Sequence, residues 1–276
     1  MRRGWGDRPM AEATKDTVTR NAIYFGHCGE AYTASVLHAV RERCRQLGIR
    51  TVVVASETGR SALRAVDVLR GTGAKLVVVT HYPATTWGPK GDIPIGLMRE
   101  EYSHIREVLE KGGVRIVQGP RPLAPPSRAI KWDYPTPEAV MDKTLEVFGA
   151  GTKIAIEAAV MATDAGKVSE GDEIISCAGT YKGLDTALVV RAAYSMNFFT
   201  AFEVREVVAK PRCRIGRLPE YEQENWRGDL EKYYDTTSDP GAACPGCSET
   251  MPVMGEPALR RFEGRQAGDT EDTGDT

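Results

Sequence analysis

The chain has 276 residues and carries 36 Lys and Arg against 38 Asp and Glu, a formal net charge of −2. That length holds one large or two small domains, and so even a balance argues against a general binder of nucleic acid or of anionic membrane. No apolar run is long enough to span a membrane, and no apolar core follows the basic start Met1-Arg2-Arg3, so no secretory signal is read there; six scattered cysteines make no disulfide scaffold and fit reduced thiols in a cytoplasm.

Residues 1–20 are polar and without periodicity, and are read as a flexible lead-in. Ala22-Ile23-Tyr24-Phe25 is a first strand, closed by the glycine-bracketed turn Gly26-His27-Cys28-Gly29. Val36, Leu37, Val40, Cys44 and Leu47 mark one face of a helix that stops at Gly48. Thr51 to Ala55 is a second strand, apolar and β-branched. It turns through Ser56-Glu57-Thr58-Gly59-Arg60-Ser61 into a helix marked by Leu63, Val66 and Leu69. A third strand, Leu76 to Thr80, leaves through a long surface loop from His81 to Pro94. Met98, Tyr102, Ile105 and Leu109 form a helical stripe, and Val114 to Val117 a fourth strand. These strands are short apolar runs separated by helices, as in a parallel sheet covered on both faces.

Gly119 to Pro137 is proline-rich and reads as an extended excursion. Thr136-Pro137-Glu138 then opens a helix with a cap, a first-turn proline and an early acid. Met141, Leu145 and Phe148 follow, and Gly149 and Gly151 end the helix. Thr152 is expected to cap a further helix running to about Ala165. That helix is apolar nearly all round, so it should be buried. Glu157 inside it needs a partner or becomes neutral, with Arg191 and Lys153 as candidate partners. The last strands are Glu173 to Cys177, Thr186 to Val190 and Phe202 to Val208. The alternation of the last predicts an edge strand wet on one side. Residues 21–212 thus form the patterned domain. Residues 213–276 read as a largely disordered tail, with one marginal aromatic helix at Pro219 to Tyr234.

With these residues placed, Glu57-Thr58-Gly59-Arg60-Ser61-Ala62 after a valine strand resembles the turn of pyruvate kinase C-terminal domains. In some of those enzymes the turn holds the phosphate of a sugar-bisphosphate regulator. Three further stretches resemble the second half of the stand-alone pyruvate kinase C-terminal-domain-like proteins of archaea and bacteria: Glu157 to Gly166, Ala178 to Ala187, and Arg191 with Asn197-Phe198-Phe199. The resemblance covers about residues 21–212. It implies a three-layer α/β/α domain with a mostly parallel mixed sheet, and it implies flavin mononucleotide (FMN) as a ligand. It also implies subunit contacts, hence a homo-oligomer. The catalytic barrel of pyruvate kinase, with its metal-binding acids and phosphoryl-transfer lysine, has no counterpart here, so no pyruvate kinase activity is expected. The loop after the first strand departs from the Pro-Gly and Asn-Thr pairing of the relatives.

Open α/β sheets bind ligands at the carboxyl ends of their strands. Four loops are expected to converge there: Gly26, His27 and Gly29; Ser56, Thr58, Gly59, Arg60 and Ser61; Thr80 and His81; and Gly179, Thr180, Lys182, Gly183, Asp185 and Thr186. Glycines admit a phosphate to the backbone, hydroxyls and a helix start offer donors, and Arg60 and Lys182 add charge. A structural reading stands beside this one. Ser or Thr simply caps the second helix, and Lys182 and Asp185 form a solvated pair on a surface turn. His27 beside Cys28 could mark an activated thiol. Cys244-Pro245-Gly246-Cys247 has CxxC spacing but lacks two further ligands for zinc, so no metal site is expected. The functional expectation is a cytoplasmic domain that binds a small phosphorylated ligand, FMN above all. The alternatives are a regulatory module sensing a phosphorylated metabolite, a flavin-dependent oxidoreductase of unknown substrate, and a catalytic thiol protein.

Overall fold

The apolar periodicities become elements close to where they lie in the sequence. A computed structural model of the chain describes residues 17–85, 94–123, 136–180 and 183–212. β1 (Ile23–Phe25) leads through a short 3₁₀ turn, Glu30–Tyr32, into α1 (Thr33–Leu47), which ends at Gly48 in the left-handed conformation. β2 (Thr51–Ala55), α2 (Arg60–Leu69) and β3 (Lys75–Thr80) follow. Within the expected surface loop, β4 (Ala84–Thr85) and β5 (Pro94–Ile95) pair antiparallel. The chain continues through α3 (Ser103–Lys111), β6 (Arg115–Gln118), α4 (Pro137–Glu146) and α5 (Ala150–Asp164). It closes with β7 (Glu173–Ala178), β8 (Thr186–Arg191), the single turn α6 (Phe198–Ala201) and β9 (Glu203–Pro211).

Seven strands make one mixed sheet in the order β1-β9-β8-β7-β2-β3-β6. β8 runs antiparallel to both of its neighbours, and every other pairing is parallel. The carboxyl ends of β1, β2, β3, β6, β7 and β9 therefore share one edge with the start of β8. The side-chain period of two splits each strand between two cores. Val52, Val54, Val78, Ile175 and Cys177 pack with Val36, Leu37, Val40, Ala62, Ala65 and Leu109 of α1, α2 and α3. Val53, Val77, Ile174, Leu188 and Val190 pack with Ala155, Ile156, Ala159 and Ala162 of α5. The result is a three-layer α/β/α domain. Burying an aliphatic side chain of this size contributes about 1.5–3 kcal/mol, and the Val52-Val53-Val54 run is wholly buried on both faces.

Three expectations are corrected. First, β9 is not an edge strand: it lies between β8 and β1. β1 pairs only with Ala209, Lys210 and Pro211, so Glu203 to Val207 keep one side without a ladder partner, and the water-facing alternation comes from there. Second, Thr152 does not cap α5. The helix starts from Gly149 (φ 113°), and Thr152 Oγ1 donates to the Phe148 carbonyl at 3.1 Å. Thr136, by contrast, caps α4 as its sequence demands, accepting from the Ala139 N–H at 3.3 Å. Third, the partner of Glu157 is neither Arg191 nor Lys153. Arg121 donates to it from Nε at 2.8 Å and again from Nη2, and the Leu123 N–H adds a third donor. Lys153 pairs instead with Asp142 and Glu146, and Arg191 with the exposed Glu203. Burial raises the Glu157 carboxyl above its ordinary range, and Arg121 partly offsets this. Asp164 at the end of α5 is exposed and accepts from the Ser195 N–H. The tail helix at 219–234 and the Cys244/Cys247 pair lie outside the described residues, as do residues 1–16.

Candidate functional site

Leaving β2, the chain winds outward through β3 and β6, then returns over the opposite face to place β7 on the other side of β2. The strand order reverses there, between β2 and β7, where open α/β sheets form their ligand crevice. The loop after β2 and the hairpin loop between β7 and β8 flank that point.

The β2–α2 loop carries Ser56 and Ser61, both buried, with Glu57 and Thr58 half-buried and Arg60 exposed. The expected hydroxyl cap is not formed. Gly59 is the residue before α2, left-handed at φ 82°, and no side chain caps the helix. Gly59 also has a packing reason to be glycine: a Cβ there would collide with Ile105 Cγ2 and fall 3.0 Å from Leu97 Cδ1. The first N–H groups of any helix lack intrahelical acceptors and lie at the positive end of its dipole. Arg60 therefore flanks a helix start that no side chain caps.

Glu57, not singled out by the sequence reading, ties this loop to β3. It accepts from Thr80 Oγ1 at 3.2 Å and from the His81 N–H at 3.0 Å, while its carbonyl accepts from Gly96. Thr80, buried, receives the Leu97 N–H at 2.8 Å. His81 is half-buried, and its ring lies 3.8 Å from that of Tyr82. The Ser56–Ser61 and Thr80–His81 loops are thus one unit. The sequence signal for Glu57 was its place directly before the hydroxyl-glycine pair at a strand end.

The other two loops form a second unit. Asp185 is completely buried and accepts from the Gly29 N–H (3.0 Å), the Thr180 N–H (3.0 Å) and Thr186 Oγ1 (2.8 Å). Its Oδ1 also lies against the first turn of α5, where an added Cβ on Gly151 would fall 2.7 Å from it. Burial raises its carboxyl above the ordinary range, and the hydroxyl and N–H donors partly offset that. Leu184 N–H donates to Thr33 Oγ1, and a Cβ on Gly183 (φ 66°) would fall 2.6 Å from Glu30 Cα. The expected solvated Lys182–Asp185 pair is therefore corrected at Asp185, which is an internal pin; Lys182 lies outside the described residues. Gly26 is exposed, His27 half-buried, Gly29 buried, Gly179 half-buried, and Thr180 and Thr186 buried. A salt bridge joins the two units: Arg64 of α2 lies 3.4 Å from Glu30.

Cys28 is buried, so the activated-thiol reading loses its exposed nucleophile. Burial pushes the Cys44 thiol up to about 11 and raises Cys177 further, making both inert. Among the described residues no cluster of His, Cys, Asp and Glu could hold a metal, and no helix is long and apolar enough to cross a membrane.

Among solved structures, the chain is similar to the SAH-bound Podospora anserina methyltransferase PaMTH1 at 13% identity. That match covers 75% of this chain and 69% of the other, with a TM-score of 0.26, too low to carry an argument about fold or chemistry. The family comparison is of another kind. The family model described as pyruvate kinase, alpha/beta domain, matches residues 34–190, more than half of the chain and the stretch from α1 to β8. The chain belongs to the pyruvate kinase alpha/beta domain family.

Proposed function

We propose that this is a cytoplasmic ligand-binding domain that holds the phosphate of a small phosphorylated ligand on the Ser56–Ser61 loop. One observation carries the reading: α2 begins at Gly59 without a side-chain cap, at the carboxyl edge beside the reversal of strand order, and with Arg60 exposed next to it. Backbone N–H groups at such a helix start favour a phosphate through both hydrogen bonding and the dipole. Thr58 adds a half-buried hydroxyl. FMN is the ligand that the sequence resemblance implies. A visible absorption spectrum of the purified protein tests it, with mass spectrometry of whatever denaturation releases. A flavin band and a released mononucleotide are the expected results, and Arg60→Ala should weaken binding. If that substitution left affinity untouched, the phosphate would not sit on this loop.

A specific observation favours a second reading, a colourless sensor of a phosphorylated metabolite. The Gly26–Gly29 and Gly179–Thr186 loops, toward which the rings of a flavin would lie with its phosphate on Ser56–Ser61, are pinned to each other through Asp185. Thermal stabilisation by a sugar phosphate, in a protein without visible absorbance, would select it.

A further inference from the structure

α4 has two unlike faces, and the fold turns its charged one inward. Asp142 and Glu146, one turn apart, are buried. Lys153 of α5 reaches both at 3.1 Å, and Arg121 reaches Asp142 at 3.2 Å. Buried carboxylates need such cations, so these pairs fix which face of α4 meets α5. The opposite stripe is Pro137, Val140, Thr144 and Val147, at i, i+3, i+7 and i+10. It is uncharged and exposed, and Phe148 extends it. Val140 is 51% exposed, Val147 58% and Phe148 60%. An apolar stripe left in water on a helix whose acids point inward marks a contact surface.

The stripe ends close to where β9 ends. A Cβ on Gly149 would fall 3.8 Å from Lys210 Cε. Arg212, two residues on, is the last described residue, and 64 residues of the chain follow it. Among them Trp226, Leu230 and Tyr233 recur at i, i+4 and i+7, with Tyr221 and Tyr234 beside them. The thirteen residues 213–225 span up to about 43 Å when extended, and α4 is about 15 Å long, so these side chains can reach the whole stripe. Residues 219–234 carry five Asp and Glu against two Lys and Arg, and Lys143, 49% exposed, borders the stripe. We propose that residues 219–234 of the same chain dock on the exposed stripe of α4. Trp226, Leu230 and Tyr233 then cover Val140, Val147 and Phe148, an apolar helix face meeting an apolar stripe. The proposal is independent of the phosphate loop, and the two fail separately.

The test is amide hydrogen exchange of the full chain, read by mass spectrometry, with sedimentation to give the mass in solution. Tethering holds the segment at an effective concentration on the order of 1 mM, so a contact of about 0.1 mM affinity slows exchange across 219–234 about tenfold. The double variant Val140→Asp, Val147→Asp should remove that protection. It leaves the Asp142, Glu146 and Lys153 face untouched. Trp226→Ala should speed exchange in the last turn of α4, because the coupling is reciprocal. It lies outside the packed domain and carries the test alone if the double variant fails to fold. Exchange across 219–234 at the rate of a free chain in wild type overturns the proposal. So does protection there that survives the double variant. A doubled mass, with protection that falls on dilution, gives the stripe to a second copy instead. Protection across 124–135 that the double variant removes, with 219–234 unprotected, gives it to that segment, and either result overturns docking by 219–234.

Discussion

At the carboxyl edge of the sheet, two neighbouring pairs of loops are finished differently. The β1–α1 and β7–β8 loops meet around a wholly buried carboxylate, and each donor that Asp185 accepts belongs to this pair of loops or to the start of β8. The β2–α2 loop is tied to β3 through Glu57, yet its helix start has no cap and Arg64 keeps a buried donor without a partner. One pair is satisfied from within, and the other has a helix start that no side chain caps. An unmade buried hydrogen bond costs about 1–3 kcal/mol, so the two endings differ in stability as well as in geometry.

The contrast breaks most sharply at the pin. Asp185→Ala leaves the Gly29 and Thr180 N–H groups without their acceptor, and about 3–5 kcal/mol of stability should go with it. In a domain of this size that is a fall in Tm of roughly 6–20 °C, measurable by calorimetry. An Asp185→Ala protein as stable as wild type would dissolve the comparison. Gly183→Ala should cost about 3 kcal/mol, since it adds a Cβ in a left-handed turn against Thr33 and Glu30. On the other side, Gly59→Ala meets Ile105, a partly buried side chain that can shift, so about 2 kcal/mol is expected from urea unfolding.

Acidity sharpens the same contrast. Burial holds the Asp185 carboxyl above its ordinary range, so the folded protein keeps that proton to higher pH than the unfolded chain does. The stability it contributes is therefore fully present below the unfolded value near ~4 and declines as pH rises through the folded value. Asp185→Asn has no proton to lose. The difference in Tm between wild type and this variant should shift against wild type as pH rises from about 4, and a pH-independent difference would count against the buried carboxylate. The smallest effect on stability belongs to Arg60→Ala, within about 0.5 kcal/mol for an exposed side chain, although its ligand affinity should fall.

Legibility followed the range of the interactions. Thr136-Pro137-Glu138 was readable because capping is a matter of four adjacent residues. The Val52 to Val54 strand was readable because burial on both faces demands apolar residues in succession. At Thr152 and at the hydroxyls of Ser56–Ser61 the same capping rule failed. There α5 starts from Gly149, three residues before Thr152, and the packing of Gly59 against Ile105 placed glycine where the local rule wanted a hydroxyl to act. Arg121 was missed as the partner of Glu157 because 36 residues separate them and the proline-rich stretch gives no periodicity to follow.

The sequence by itself determined the alternation of strands and helices, the family, and the edge of the sheet to which the candidate loops belong. Those follow from periods of 2 and 3.6 residues and from short motifs that act within one turn of chain. Tertiary structure alone decided which loops lock together, which carboxylate is sealed and which guanidinium is left with a free donor. Those outcomes depend on contacts such as Gly29 with Asp185 across 156 residues and Glu30 with Arg64 across two helices. Such contacts exist only once the chain has closed β9 against β1 and returned β7 to the side of β2.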